Sequence, residues 1–241
     1  MISPLGDGIS SVELLGSFGD DLTVVNAARV SYAKESTWDD VQGISDPAYT
    51  HAFRRMRVAD EKLINYLAKH GHWTPFAQPQ LRFRYTMPLF VARQWFKHQI
   101  GLTRNEVSGR YVKDTPRFHK PTQFRMAPGP GQSKQGSGPV IEDKETIDTA
   151  VRAYWYAYIA AQESYEKLLE LGVAPEQARE VLPLATYTQF IETGSLAAYA
   201  RIYHLRSQPD AQLETQHYAR AVGELIAPLF PVSWGALTSG K

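Results

Sequence analysis

The sequence predicts a mixed α+β fold. Stretches that read as strands are few and widely separated, long stretches with helical apolar spacing lie between them, and no strand–helix–strand rhythm repeats. At 241 residues, with 43% hydrophobic and 21% charged residues, the chain suits a single globular domain spanning 1–241.

Val12 to Leu15 reads as a short strand. Asp20 to Tyr32 has helical spacing through Leu22, Val25, Ala28 and Val30, and Asp20 or Asp21 can cap it. Residues 37–50 are polar and loop-like. Ala59 to His70 is an amphipathic helix with Leu63, Ile64, Tyr66 and Leu67 on or near one face, ended by Gly71. From Gln78 to Thr86, Leu81, Phe83 and Tyr85 alternate with Gln80, Arg82 and Arg84, the pattern of a half-buried strand. Pro88 suits the first turn of a helix running to about His98, and Gly101 marks an end or a turn.

Residues 127–139, APGPGQSKQGSGP, read as a mobile Gly/Pro/Ser-rich loop. Ile141 to Leu171 reads as one long helix and Pro175 to Arg179 as a short one. Thr186 to Thr193 is a candidate strand. Leu196 to Leu205 and Gln212 to Ile226 have helical spacing, and Pro228 and Pro231 then break the pattern.

The chain has no cysteine, which excludes disulfides, thiolate metal sites and cysteine nucleophiles. No apolar run reaches the roughly 18 residues of a membrane span. The opening MISPLGDGISS lacks the basic flank and apolar stretch of a secretory signal, so the expected location is the cytoplasm, or a host's cytoplasm for a viral protein. Net charge is +1, but Arg82 to Lys120 holds nine Arg or Lys against two acidic residues, Glu106 and Asp114. A basic segment in a balanced chain suggests a small-anion site or a solvated basic face.

The segment PLFVARQWFKHQIGLTRNEVSGRY carries most information. On a continuous helix, Arg93 and Lys97 are four apart, as are Gln94 and His98, and all four fall within about 140° of arc. Leu89, Val91, Ala92, Trp95 and Phe96 lie largely elsewhere, while Phe90 falls on the polar side. Two cations at this spacing repel unless an anion bridges them, and snorkelling over the core is the alternative. Spacing alone leaves both open. Asn105, Glu106, Ser108, Gly109 and Arg110 follow. Glycine admits close backbone approach, serine and arginine donate to phosphate, and Glu106 can accept from a ribose hydroxyl or orient Arg110.

These residues resemble the signature of flavin-dependent thymidylate synthases, an Arg-His-Arg triplet, seven or eight residues, then a serine shortly before Arg-Tyr. Lys97-His98-Gln99 stands for the triplet, eight residues follow, and Ser108-Gly109-Arg110-Tyr111 completes it. Arg93 to Phe96 and Asn105-Glu106 also match. So do AARVSY (Ala27 to Tyr32), KHGHWTPF (Lys69 to Phe76), ARxVLP (Ala178 to Pro183), LPLATYTQF and TGSLAAYARIYHLR ending at Arg206. The similarity spans roughly Val12 to Tyr218. Two features depart from the family: the triplet is KHQ, which loses one planar fork and one charge, and 127–139 looks like an insertion.

The resemblance implies the family fold, a small antiparallel-type sheet with long helices. It also implies conversion of dUMP to dTMP, with methylenetetrahydrofolate as carbon donor, FAD as hydride carrier and NADPH as reductant. Arg206 matches the arginine beside the pyrimidine, where a fixed guanidinium stabilises charge on the N3–O4 edge and raises electron density at carbon 5. By residue type alone Arg206 is equally a helix C-terminal cation. Gln94, Lys97, Glu106, Val107, Ser108, Gly109, Arg110 and Arg179 match nucleotide contacts. Ser31, His72, Thr74, Lys97, His98, Gln99, Asn105, Glu106, Ser195, Ala197 and Arg201 match flavin-side positions, with Ser195 and Ala197 replacing more polar residues. His70-Gly71-His72 has no third ligand at diagnostic spacing, so no metal is expected. The family also implies a homotetramer with active sites shared between subunits.

Two other readings compete. Basic residues interleaved with Phe83, Tyr85, Trp95, Phe96 and Tyr111 could stack single-stranded nucleic acid, although the balanced charge and missing RNA-recognition signature speak against a nucleic-acid polymer. The other is a different flavin or nucleotide enzyme, for which a dinucleotide fold of the usual kind is disfavoured. No GxGxxG follows a strand, and Ser137-Gly138 after Gly131-QSKQ-Gly136 replaces the Lys and Ser/Thr of a P-loop.

Overall fold

The computed structural model describes residues 1–40, 54–111, 115–131 and 135–239. Most of the expected loop at 37–50, and 132–134 of the Gly/Pro-rich segment, lie outside them.

A four-stranded antiparallel sheet forms the centre. It is built from β1 (Ser11–Phe18), β4 (Gln80–Pro88), β5 (Leu102–Glu106) and β6 (Tyr187–Ser195) in the order β1-β4-β6-β5. A second ladder pairs β2 (Asp39–Asp40) with β3 (Arg54–Arg55). The alternation read along β4 is realised: Leu81, Phe83, Tyr85 and Met87 are fully buried. Tyr85 lies opposite Phe190 of β6 in register, and the two rings stack with centroids 4.8 Å apart. Such cross-strand aromatic pairs contribute roughly 0.2–1 kcal/mol each relative to an alanine pair.

Helices α1 (Asp21–Arg29), α2 (Val58–Lys69), α3 (Leu89–Trp95), α6 (Leu196–Arg206), α7 (Leu213–Ile226) and α8 (Pro231–Thr238) share one apolar core with the sheet. The long α4 (Lys144–Glu170) and the short α5 (Pro175–Ala178) pack on each other. Asp143 caps α4, which buries Tyr158 and Tyr165 and leaves Val151, Trp155 and Tyr156 at least half exposed. None of the described helices is long and apolar enough to cross a membrane.

Several expectations are corrected. The first helix is shorter than 20–32: it ends at Arg29, and a 3-10 turn, Val30–Tyr32, follows with Val30 exposed. Asp20 and Asp21 divide the capping. Asp20 caps α1 through Thr23 N at 2.9 Å, whereas Asp21 accepts from Val232 N at 2.9 Å and Ser233 N at 2.8 Å, capping α8. Pro231 therefore opens a helix, at a position where its missing N–H costs nothing. In α2, Tyr66 is exposed and Ile64 and Leu67 carry the buried face. His70, Gly71 (φ +71°) and His72 close α2 as a Schellman motif, with His72 N donating to Leu67 O and Gly71 N to Ala68 O.

The helix expected to reach His98 ends at Trp95. Past Phe96 the backbone tightens to i→i−3 hydrogen bonds, Lys97 N to Gln94 O and His98 N to Trp95 O. Arg93 and Lys97 are thus not neighbours on one helix face. Strand β5 was not foreseen. The segment 175–179 divides into α5 and a 3-10 turn, Arg179–Val181.

Candidate active site

Most of the predicted residues gather in three places on one chain, and no described contact joins Ser31 or His72 to them. The first lies where the turn after α3 meets the end of α6. Arg206 donates from Nε to His98 Nε2 at 2.9 Å and from Nη2 to the Gln94 carbonyl at 3.3 Å. The Gln94 side chain donates to Gln212 Oε1 at 2.6 Å and accepts from Thr215 Oγ1 at 3.3 Å. Burial first, and then the charges of Arg206, Arg104 and Arg201, push the His98 pKa down to about 4. The ring is therefore neutral near neutral pH.

The turn carrying Lys97, His98 and Gln99 is pinned through its backbone. Arg104 of β5 donates to the His98 carbonyl, and Arg201 of α6 donates to the Ile100 carbonyl. Arg104 is anchored by an ion pair to Glu192 of β6, whose side chain is fully buried and also accepts from Trp95 Nε1 at 3.2 Å. The Arg104 guanidinium also lies 5.2 Å from the centroid of Phe96. Burial raises the Glu192 pKa, and Arg104 opposes the rise. Lys97 and Gln99 are exposed.

The second place is a cavity of about 480 Å³ against β6, lined by Glu106, Val107, Gly109, Arg117 and Arg179 among others. A Cβ on Gly109 would sit 3.4 Å from Arg179 Cδ, an ordinary contact distance, which places the two segments side by side at the cavity. Glu106 is not paired with Arg110 and instead accepts from Thr188 Oγ1 at 2.6 Å. Arg110 pairs instead with Glu176 at 3.3 Å, and Ser108 Oγ accepts from Arg110 N. Asn105 is exposed on β5.

The third place is a cleft of about 400 Å³ lined by Trp73, Ile100, Gly101, Ser195, Ala197 and Arg201. Trp73 sits between His72 and Thr74 and is 61% exposed, and Ile100 is 75% exposed, so the cleft has a bare apolar wall beside a cation. The Ser195 hydroxyl accepts from Ala198 N as the N-cap of α6. His72 is stacked 6.2 Å from Tyr66. Ser31 is exposed in the 3-10 turn after α1. Among the described residues, no group of three or more His, Asp or Glu is placed to hold a metal ion.

Three of the five aromatics offered as base-stacking residues are unavailable: Phe83, Tyr85 and Trp95 are fully buried. Sequence reasoning missed two groups. One is the Arg104–Glu192 pair, whose only signal was an acidic residue at a core position of the β6 alternation. The other is a relay in which Arg125 pairs with Glu214 at 2.8 Å and Gln212 Nε2 donates to Glu214 at 3.0 Å, reaching Gln94. Arg125 opens the stem of the 127–139 segment, pinned by Met126 N to Pro139 O and Gly138 N to Met126 O.

A family model described as "Thymidylate synthase complementing protein" matches residues 13–232. The flavin-dependent thymidylate synthase of Thermus thermophilus is 37% identical over 225 residues, covering 93% of this chain and 74% of its own length. That of Thermosipho melanesiensis is 35% identical over 229 residues, covering 91% and 86%. A solved structure of the UMP/dUMP methylase PolB from Streptomyces cacaoi, bound with 5-Br dUMP, aligns with a TM-score of 0.77 at 31% identity, covering 95% of each chain.

Proposed function

Because the chain belongs to the thymidylate synthase complementing protein family and is a flavin-dependent thymidylate synthase, a methyltransferase, we propose that it converts dUMP to dTMP with methylenetetrahydrofolate as carbon donor, FAD as hydride carrier and NADPH as reductant. The observation that carries the reading is the held guanidinium of Arg206. Two of its donors are fixed by His98 and Gln94, which leaves its remaining N–H groups without a described partner. A preorganised cation of this kind stabilises charge on the N3–O4 edge of a pyrimidine and so increases the nucleophilicity of carbon 5.

Ser108, Gly109, Arg110 and Arg179 suit the nucleotide phosphate and sugar, with Glu106, Val107, Gln94 and Lys97 as further contacts. Glu106 has one carboxylate oxygen held by Thr188 and the other available to a sugar hydroxyl. The cleft around Arg201 has the chemistry to take part of a flavin dinucleotide, a cation beside an apolar wall. Lys97, Gln99 and Arg201 are donors for its phosphates, and the exposed Trp73 and Ile100 offer a flat apolar surface. His72, Thr74, Ser31, Asn105, Ser195 and Ala197 complete the flavin-side set, Ser195 through its hydroxyl proton, which the N-cap bond does not use, while the His98 ring, matched to the flavin side by sequence, turns to Arg206 instead. A bound flavin supplies the hydride.

A homotetramer in which subunits share active sites belongs to this reading as what the family resemblance implies. In this reading residues 1–241 act as one domain, in the cytoplasm. The test is anaerobic incubation of the flavin-loaded protein with dUMP, methylenetetrahydrofolate and NADPH, followed by chromatography for dTMP. Flavin-loaded protein that yields no dTMP would reject the proposal.

A further inference from the structure

Arg206 is held from behind by a ring that has to be uncharged. A ring nitrogen accepts from a guanidinium only through a lone pair, so the 2.9 Å contact from Arg206 Nε fixes His98 as the neutral imidazole with its proton on Nδ1. We propose that His98 is a positioning residue for Arg206, a neutral acceptor that aims the guanidinium at the pyrimidine, and that its ring does not serve the flavin. This rests on the reading of Arg206 given above.

The charged groups that act on the ring are all cations: Arg206 and Arg201 from α6, and Arg104 from β5. With partial burial they oppose a second proton on the imidazole. The ring's backbone is fixed on two sides, by Arg104 at the His98 carbonyl and Arg201 at the Ile100 carbonyl, so the acceptor is preorganised. A carboxylate in this place would grip Arg206 more strongly and also cancel its charge. A neutral acceptor orients the guanidinium and leaves the full positive charge to act on the nucleotide. This gives a reason for histidine in the middle of the triplet that holds for KHQ as well as for RHR.

Two measurements test it. In the flavin-loaded full-length protein, His98→Phe removes the acceptor and His98→Gln restores a neutral one. His98→Phe should lower kcat by roughly ten- to hundred-fold, the effect of losing one hydrogen bond to a charged group, with the native flavin absorbance retained. His98→Gln should recover most of that loss. The proposal is overturned by His98→Phe turnover within about two-fold of native, by folded His98→Phe that has lost its flavin, or by a Gln variant no better than Phe. The second measurement needs no turnover. Nitrogen-15 NMR of histidine-labelled protein should show His98 Nε2 unprotonated at neutral pH, with its titration moving to higher pH in Arg206→Ala. A native His98 that titrates near the ordinary value of about 6.5, or is indifferent to Arg206→Ala, refutes the positioning role. Because that readout is independent of dTMP formation, it separates failure of this inference from failure of the assigned reaction.

Discussion

Replacing Arg104 by alanine should leave a charged carboxylate stranded in the core. Glu192 is fully buried and Arg104 is its only described cationic partner, with a side chain 14% exposed. After the substitution its side chain keeps only neutral donors, the Trp95 indole N–H at 3.2 Å and the Tyr199 hydroxyl. Removing one partner of a buried ion pair costs about 3–5 kcal/mol, a large part of the roughly 5–15 kcal/mol that holds a typical domain together. The loss must also depend on pH. Burial already raises the Glu192 pKa against the opposing charge of Arg104, and without that charge it rises further. A carboxyl whose folded pKa lies above its unfolded value favours folding when protonated, and that contribution is lost as pH rises through the folded pKa. Destabilisation should therefore be largest near neutral pH and shrink in mild acid. Urea unfolding followed by tryptophan fluorescence, at about pH 7.5 and about pH 5.5 and one protein concentration, measures both. Adding Glu192→Gln to Arg104→Ala should recover stability at the higher pH. A loss below about 1 kcal/mol, or an equal loss at both pH values, would refute the assignment of a buried charge held by Arg104.

Further expectations concern chemistry and packing. Arg206→Ala should reduce dTMP formation by about a hundred- to thousand-fold or more while circular dichroism stays native, and near-normal turnover would reject its role. Gln99→Arg, which restores one charge of the family triplet, should be tolerated and should slow the loss of FAD during gel filtration. Flavin lost from that folded variant counts against aligning KHQ with the triplet. Gly223→Ala should lower the melting temperature, because its Cβ would sit 2.6 Å from Tyr203 Cε2 and 3.3 Å from Trp234 Cζ2. Overpacking costs about 1–3 kcal/mol against about 1 kcal/mol of helix propensity gained. Gly235→Ala, with open space around it, should be neutral or stabilising, and equal melting temperatures for the two variants would disprove the clash.

The long helices and the central strand were legible because their periodicity is local. Leu81, Phe83 and Tyr85 could face only one way, and Ala-rich α4, α6 and α7 announce themselves by spacing. Strand β5 is short and at the sheet edge, with no apolar alternation to betray it. The end of α3 was misread because helical spacing continues in sequence past Trp95, while Arg104 and Arg201 hold the next carbonyls from elsewhere in the chain. Pro231 was read as a breaker because the donor-accepting Asp21 that starts α8 lies more than two hundred residues away. At the site, residue types were readable and grouping was not. Nothing in the spacing of Gln94, His98 and Arg206 says that the first and last of these meet, or that Arg110 turns to Glu176 rather than Glu106.

The stitch between the two ends of the chain bears on how the protein is made. Asp21 leaves the ribosome more than two hundred residues before the two amide hydrogens that satisfy its carboxylate, those of Val232 and Ser233. Until those are synthesised, the start of α1 carries a carboxylate that favours water over the interior. Helix α1 thus reaches its final seat only once Val232 and Ser233 have been synthesised, after the intervening sheet has had the opportunity to assemble.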